Sequence, residues 1–346
     1  MKRQDSQILD ISSKKWSTFV ERQNDANVFH HPNWANLISD CYGYKSFALA
    51  LCDQSGRISS GLPIIEIKHH FCKKHWVSMP YTDCCPILVK EKSKLDRLLA
   101  QLKDQKLERN LSRIEIRGVL PSQNGIFSYQ NGFIHKLLLS RKKLKDIEKN
   151  FKYMHQRNIR KAKRHGVIVT RGQHIELMDV FYRLHLGTRK RLGVPIQPKK
   201  FFRMFYEKLI RTGLGFVSVA YFNNEAIAAA IFLNWNRKLI YKYGASSQRY
   251  WDKRPNNLIF SDIIRWAHEN GCSEVDFGRT GLENSGLRNF KKGWGTEEKP
   301  LIYSVIADKP PQSSAQRMPR LLSLVIRHSP AWVCRVAGEL AYKYSA

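Results

Sequence analysis

Gly215 to Gly278 reads GFVSVAYFNNEAIAAAIFLNWNRKLIYKYGASSQRYWDKRPNNLIFSDIIRWAHENGCSEVDFG. Three apolar runs, Gly215–Tyr221, Ala226–Leu233 and Lys238–Tyr243, are separated by short turns at Asn223-Asn224 and Trp235-Asn236. Runs of this length, rich in β-branched and aromatic residues and punctuated by Asn, predict a three-strand meander. A polar loop then leads into a helix over Asn257–Asn270, stopped by Gly271. Ser273–Gly278 (SEVDFG) reads as the next strand. Meander, helix and strand in that order define a mixed α/β module.

Upstream of the meander, Met178–Leu192 and Lys199–Arg211 have helical periodicity. The first half of the chain has a similar order. Trp16–Tyr44 has helical spacing broken by Pro32 and Gly43, and Ser46–Cys52, Arg57–Lys68 and His75–Met79 read as strands. Leu95–Leu107 is an amphipathic helix, and Ser112–Arg117 is a short alternating strand. Phe47–Leu51 aligns with Phe216–Ala220, and Arg113 with Glu274, at similar offsets. The repeated order predicts two copies of one α/β module, each a mixed twisted sheet flanked by helices. The expected division is 1–140 for the first module, 141–306 for the second, and 307–346 for a linker and tail.

Arg141–Arg164 opens the second module with eleven Lys and Arg against two acids. As one helix it places Leu144, Ile147, Phe151, Met154 and Ala162 on a buried stripe. Arg157, Arg160, Lys161 and Arg164 lie on another side at i, i+3, i+4 and i+7. A solvated face and a phosphate grip both fit this pattern. The scarcity of acids to neutralise the cations, and the position at the join of two modules, favour the grip. Farther along, Arg249, Lys253 and Arg254 precede Pro255-Asn256-Asn257 at a helix start, an arrangement suited to anions or to ordinary capping. No glycine-rich pyrophosphate cradle occurs there.

Val275–Gly295 (VDFGRTGLENSGLRNFKKGWG) combines a strand-end carboxylate, Asp276, with Lys291 and Lys292 among aromatics and glycines. These types in this spacing fit a base and an oxyanion-stabilising cation. Equally open is the reading in which Asp276 bonds backbone while Phe290 and Trp294 are core. Histidines at 30–31, 69–70 and 155 lack metal-ligand spacing, so no metal is expected.

The chain has 346 residues and 59 Lys and Arg against 29 Asp and Glu, a formal charge of +30. Normal apolar content excludes wholesale disorder. No apolar run reaches the about 18–20 residues that cross a bilayer. The polar start MKRQDSQILD and seven cysteines without a CxxC fit a cytoplasmic chain without a disulfide framework. After Pro310-Pro311-Gln312-Ser313-Ser314 comes MPRLLSLVIRHSPAWVCRVAGELAYKY, a basic amphipathic helix pair. It suits either an anionic membrane surface or docking on the second module.

RNIRKAKRHGV (Arg157–Val167), YKYGAS, RPNNLIFSDIIRWAHENG and DFGRT…FKKGWG together resemble the Fem-type (FemAB-like) branch of the GNAT acyltransferases. That branch includes enzymes of peptidoglycan cross-bridges and proteins linked to exopolysaccharide synthesis. VFHHPNWANLI and WVSMPYTDCCPIL resemble its first module, and the resemblance spans about Trp16 to Tyr303. It implies two tandem GNAT modules and transfer of an acyl or aminoacyl group to an amine of an envelope precursor. The implied donor is aminoacyl-tRNA or acyl-coenzyme A, with no tightly bound cofactor. Lys291 matches the family lysine for the oxyanion or the tRNA end, with Asp276 or the substrate handling the proton. Arg157 and Arg160 match the grip on a diphosphate. Lys161, Tyr243, Arg254, Asn256, Asn257, Arg279 and Lys292 complete the expected substrate contacts. Expected partners are a phosphorylated or lipid-linked precursor, tRNA, and the anionic inner face of the plasma membrane. The rival readings are a nucleic-acid-binding protein, which the charge would suit, and a coenzyme A-dependent acetyltransferase.

Overall fold

Sheets carry the architecture, and their strands come from distant parts of the chain. The computed structural model describes residues 6–69, 72–311 and 320–345. They form two units, the first from residues 6–132 and 300–311, the second from residues 133–299 and 320–345.

In the first unit the strands are β1 (Ser6–Asp10), β2 (Lys45–Cys52), β3 (Ile58–His69), β4 (Cys72–Val77), β5 (Leu88–Val89) and β6 (Ile114–Ile116). Strand β7 (Ile126–Leu138) begins in this unit and ends in the second. The helices are α1 (Lys14–Glu21), α2 (Pro32–Tyr42) and α3 (Lys92–Glu108). Strands β1 to β4 pair antiparallel in sequence order, and β6 lies parallel to β4. Leu98, Leu99 and Leu102 of α3 bury against Leu49, Leu62, Trp76 and Ile114 of the sheet. That apolar burial is the main force holding helix to sheet.

In the second unit the elements are α4 (Leu144–Lys149), α5 (Tyr153–Arg164), β8 (Ile168–Gly172), α6 (Ile175–Leu192) and α7 (Lys199–Phe205). They continue with β9 (Gly215–Phe222), β10 (Glu225–Trp235), β11 (Lys238–Ser246), α8 (Pro255–Glu269), β12 (Glu274–Thr280), α9 (Ser285–Lys292) and β13 (Glu297–Ile306). Strands β8 to β11 are antiparallel, β12 runs parallel to β11, and the second half of β7 is antiparallel to β12. Strand β13 returns to the first unit, where Ser304–Ile306 pairs with β6. The run IAAAIFL (Ile227–Leu233) in β10 is buried on both faces. Ala228, Ala230 and Phe232 share a core with Ile259, Phe260, Ile263 and Ile264 of α8, and the strand also packs on α6.

Each unit thus repeats antiparallel strands, a helix, and a strand parallel to the last: β2-β3-β4-α3-β6 and β9-β10-β11-α8-β12. Three details refine the sequence reading. First, the boundaries fall at 132/133 and 299/300, because β7 and β13 are each divided between the units. Second, the basic segment is two helices, broken at Asn150–Lys152, so the wheel phase restarts. Met154 is therefore 53% exposed, and His155, Asn158 and Ala162 form the buried line of α5. Third, the tail helices α10 (Arg320–His328) and α11 (Ala331–Ala341) pack on α6 of the second unit, as one of the two readings of the tail expects. The expected linker at 312–314 lies outside the described residues. No helix among those described is long and apolar enough to cross a membrane.

Candidate active site

Strands β11 and β12 pair only over Lys238–Ile240 and Glu274–Asp276, then stop. On its other side β12 has a register shift against β7 between Asp276 and Arg279. Gly278 lies within it at φ +70°, a conformation that costs glycine little. Asp276 and Lys291 hold this bulge from two directions. Oδ1 of Asp276 accepts the Gly278 N–H at 2.7 Å. Nζ of Lys291 donates to the Gly278 carbonyl at 2.7 Å and the Arg279 carbonyl at 3.0 Å. Lys291 is only 2% exposed. An ammonium so withdrawn from water requires such acceptors.

Helix α9 delivers Lys291 to that point. Asn284 caps it by accepting the Leu287 N–H at 3.0 Å. Beyond its last turn Trp294 is fully buried, stacked on His155 with centroids 4.5 Å apart. Nε2–H of His155 donates to the Phe290 carbonyl at 2.9 Å. Its Nδ1 then accepts from Nδ2 of Asn257 at 2.7 Å. Burial is the main reason the His155 pKa falls below the ordinary value, so the ring is neutral at pH 7. One buried imidazole therefore ties α5, α8 and α9 together. A Cβ at Gly293 would overlap that ring, which accounts for the glycine in FKKGWG.

Among the sequence candidates, Asp276, Arg279 and Lys291 meet at the bulge. Asp276 bonds backbone and Trp294 is core, as in the second of the two readings. Asn257 uses its amide nitrogen inside the protein, on His155. Lys292 pairs with Glu298 at 3.0 Å. Hydrogen bonds from Arg288 above all, and then from Lys292, pull the Glu298 carboxyl down to about 2. His135 also contacts Glu298, at 3.0 Å. The ring of Tyr243 sits among Phe181, His185, Phe202 and Phe205. Burial drives the pKa of His185 in this cluster to about 3.

The cationic face lies on α5, with Arg157 and Arg160 exposed and Lys161 half-buried. Asp252, in the 3-10 turn Gln248–Lys253, is held low by its bond to Lys253 and by the charges of Lys253 and Lys161. Lys161 is thus brought near the turn that ends at Arg254. Arg254 has φ +59° and precedes α8, with Asn256 half-buried in its first turn. No cluster of His, Cys, Asp or Glu among the described residues could hold a metal ion. His155, Glu298 and the Gly278 bulge escaped the sequence reading. The glycine of FKKGWG was the one signal that a ring approaches there.

Residues 149–292 match the family model of the GNAT acetyltransferase domain. That span contains the cationic helix, the bulge and Lys291, so this part of the chain is similar to a GNAT acetyltransferase domain. In sequence, part of the chain is similar to lipid II:glycine glycyltransferase, and in fold the chain is similar to FemX. It is 34% identical to the Staphylococcus aureus lipid II:glycine glycyltransferase over 112 residues, 30% of this chain and 27% of that protein. The match thus spans about a quarter of the length of this curated relative. The fold is similar to the crystal structure of FemX, with a TM-score of 0.72, 16% identity, and coverage of 88% of this chain and 98% of that one. It is also similar to a tandem GNAT protein from the clavulanic acid biosynthesis pathway, with a TM-score of 0.53, 10% identity, and coverage of 89% and 99%.

Proposed function

We propose that the chain is a tandem-GNAT N-acyltransferase that moves an aminoacyl group onto an amine of a lipid-linked cell-envelope precursor. The observation that carries this reading is the buried Lys291 ammonium at the β12 bulge, inside the segment that matches the GNAT domain. The amine attacks the acyl carbonyl, forming a C–N bond through a tetrahedral oxyanion. Collapse breaks the C–O bond to the tRNA ribose, or the C–S bond if coenzyme A is the donor. The amine proton ends on that leaving atom, relayed by Asp276 or by the substrate. The positive charge of Lys291 favours the oxyanion, an effect worth about 3–4 kcal/mol where such a donor is removed. Arg157, Arg160 and Lys161, with Arg254 and Asn256, grip the precursor's phosphates, while Asn257 and Lys292 hold α8 and α9 in place through His155 and Glu298. The loop before α8 has no glycine between Ser246 and Arg254, which favours aminoacyl-tRNA over coenzyme A as donor.

The test supplies the full chain with labelled aminoacyl-tRNA or acetyl-coenzyme A and a lipid-linked muropeptide bearing a free amine. Label should enter the acceptor from aminoacyl-tRNA, and Lys291→Met should slow that by about a hundredfold or more. Lys291→Met also removes the donor to the Gly278 and Arg279 carbonyls, so it should lose about 1–3 kcal/mol of stability. Rates are therefore compared well below its melting temperature. Arg157→Ala with Arg160→Ala should raise KM for the precursor with little change in kcat. Transfer from acetyl-coenzyme A alone would select the other donor. No transfer from either, together with tight salt-sensitive RNA binding, would overturn the proposal.

A further inference from the structure

The tail helices bury a narrow line and leave a broad one in water. Ile326 of α10 and Cys334 of α11 are fully buried. The Cys334 thiol donates to the Val194 carbonyl at 3.4 Å, and Gly338 lies so near Ile196 that a Cβ would overlap its carbonyl. A Cβ at Gly193, the C-cap of α6, would likewise meet Ser323 and Arg327 of α10. These close approaches fix which way each tail helix faces. On α11 the side opposite Cys334 and Gly338 carries Trp332 (60% exposed), Val336 and Leu340 (71% exposed) at i, i+4 and i+8. On α10 it carries Leu321 (79% exposed), Leu324 and Val325. Both helices pack on α6, so both apolar stripes look away from it.

We propose that this surface docks on the headgroup region of an anionic lipid bilayer. A concentration of large exposed apolar side chains marks an interaction surface. The described tail carries exposed Arg327 and Arg335 and half-buried Lys343 against one acid, Glu339. A chain of charge +30 repels a second copy of itself and is drawn to negative lipid. Short helices with a Trp and Leu face, bordered by cations, lie in the plane of a membrane surface. The proposal does not depend on the acyl-transfer reading, because it uses none of the residues placed at the bulge.

The test is co-sedimentation of the full chain with vesicles of phosphatidylglycerol and phosphatidylcholine, or of phosphatidylcholine alone. Truncation is avoided because α11 packs on α6. The variant Leu321→Ser/Trp332→Ser/Leu340→Ser changes exposed positions only, and Trp332→Ser alone is a milder probe. Wild type should bind the phosphatidylglycerol vesicles and not the neutral ones. The triple variant should bind about tenfold more weakly or worse with an unchanged melting temperature. Absence of wild-type binding, or equal binding by the triple variant, overturns the proposal. So does a lipid-free dimer of the wild type that the triple variant dissociates, since that assigns the surface to a second copy.

Discussion

Lys291 carries a charge that the fold withholds from water, and its two carbonyl partners belong to the bulge that Asp276 braces. The pair therefore brace one backbone conformation from two directions. Beside them, Gly293 is fixed by contact. Gly293→Ala should force the His155 ring off Trp294 and destabilise the protein by about 1–3 kcal/mol, readable as a lower urea midpoint. If the midpoint is unchanged, the ring is not where the contact requires it. Much of this neighbourhood was legible: Asp276, Lys291 and Trp294 all stand in VDFGRTGLENSGLRNFKKGWG. The bulge was not, because a glycine near a strand end reads as a generic bend. His155 was judged only as a metal ligand, whereas its part depends on helices that are far apart in sequence.

At the scale of elements, α9 is anchored by Arg288 and Lys292, which share Glu298 at the start of β13. The Glu298 pKa drops from 4.5 to about 2 on folding. The unfolded chain therefore takes up the proton first as pH falls. The stabilisation is complete above pH 4.5 and is lost as pH falls through about 2. Wild type should melt above Glu298→Gln at neutral pH, and thermal melts should show that gap closing through this acid window. A gap independent of pH would remove the ion pairs as its cause. Helices and meander strands were readable because their periodicity is local. The break in the basic segment was not, since Asn150–Lys152 contains neither proline nor glycine. Lys152 N–H instead bonds the Gly293 carbonyl at 2.8 Å, a contact with the far end of the unit. Strands β7, β8 and β13 were missed for a related reason: polar residues interrupt them and Pro300 lies within β13, so their patterns are weak.

For the whole molecule, duplication was legible as an order of elements that both units repeat. The boundaries were not, because two strands are divided between the units. The tail, read as a separate segment, is part of the second unit through the close approach of Gly338 to Ile196. Gly338→Leu should lift α11 from α6. Hydrogen exchange should then show lost protection across Ala331–Ala341, with the β9–β12 sheet unaffected. Retained protection in α11 would mean that the contact is not what seats it. The charge of +30 is unevenly placed, with Arg157, Arg160, Lys163 and Arg164 exposed together on α5.

The return of β13 to the first unit also has a consequence for synthesis. Strand β6 leaves the ribosome long before Ser304–Ile306, the segment it pairs with, because the body of the second unit is made in between. At usual elongation rates that delay is about ten to forty seconds. During it the first unit carries an open strand edge, a template for wrong pairing. A chain released before residue 300 would keep that edge permanently, so nascent-chain protection by a chaperone should matter most while residues 117–303 are being added.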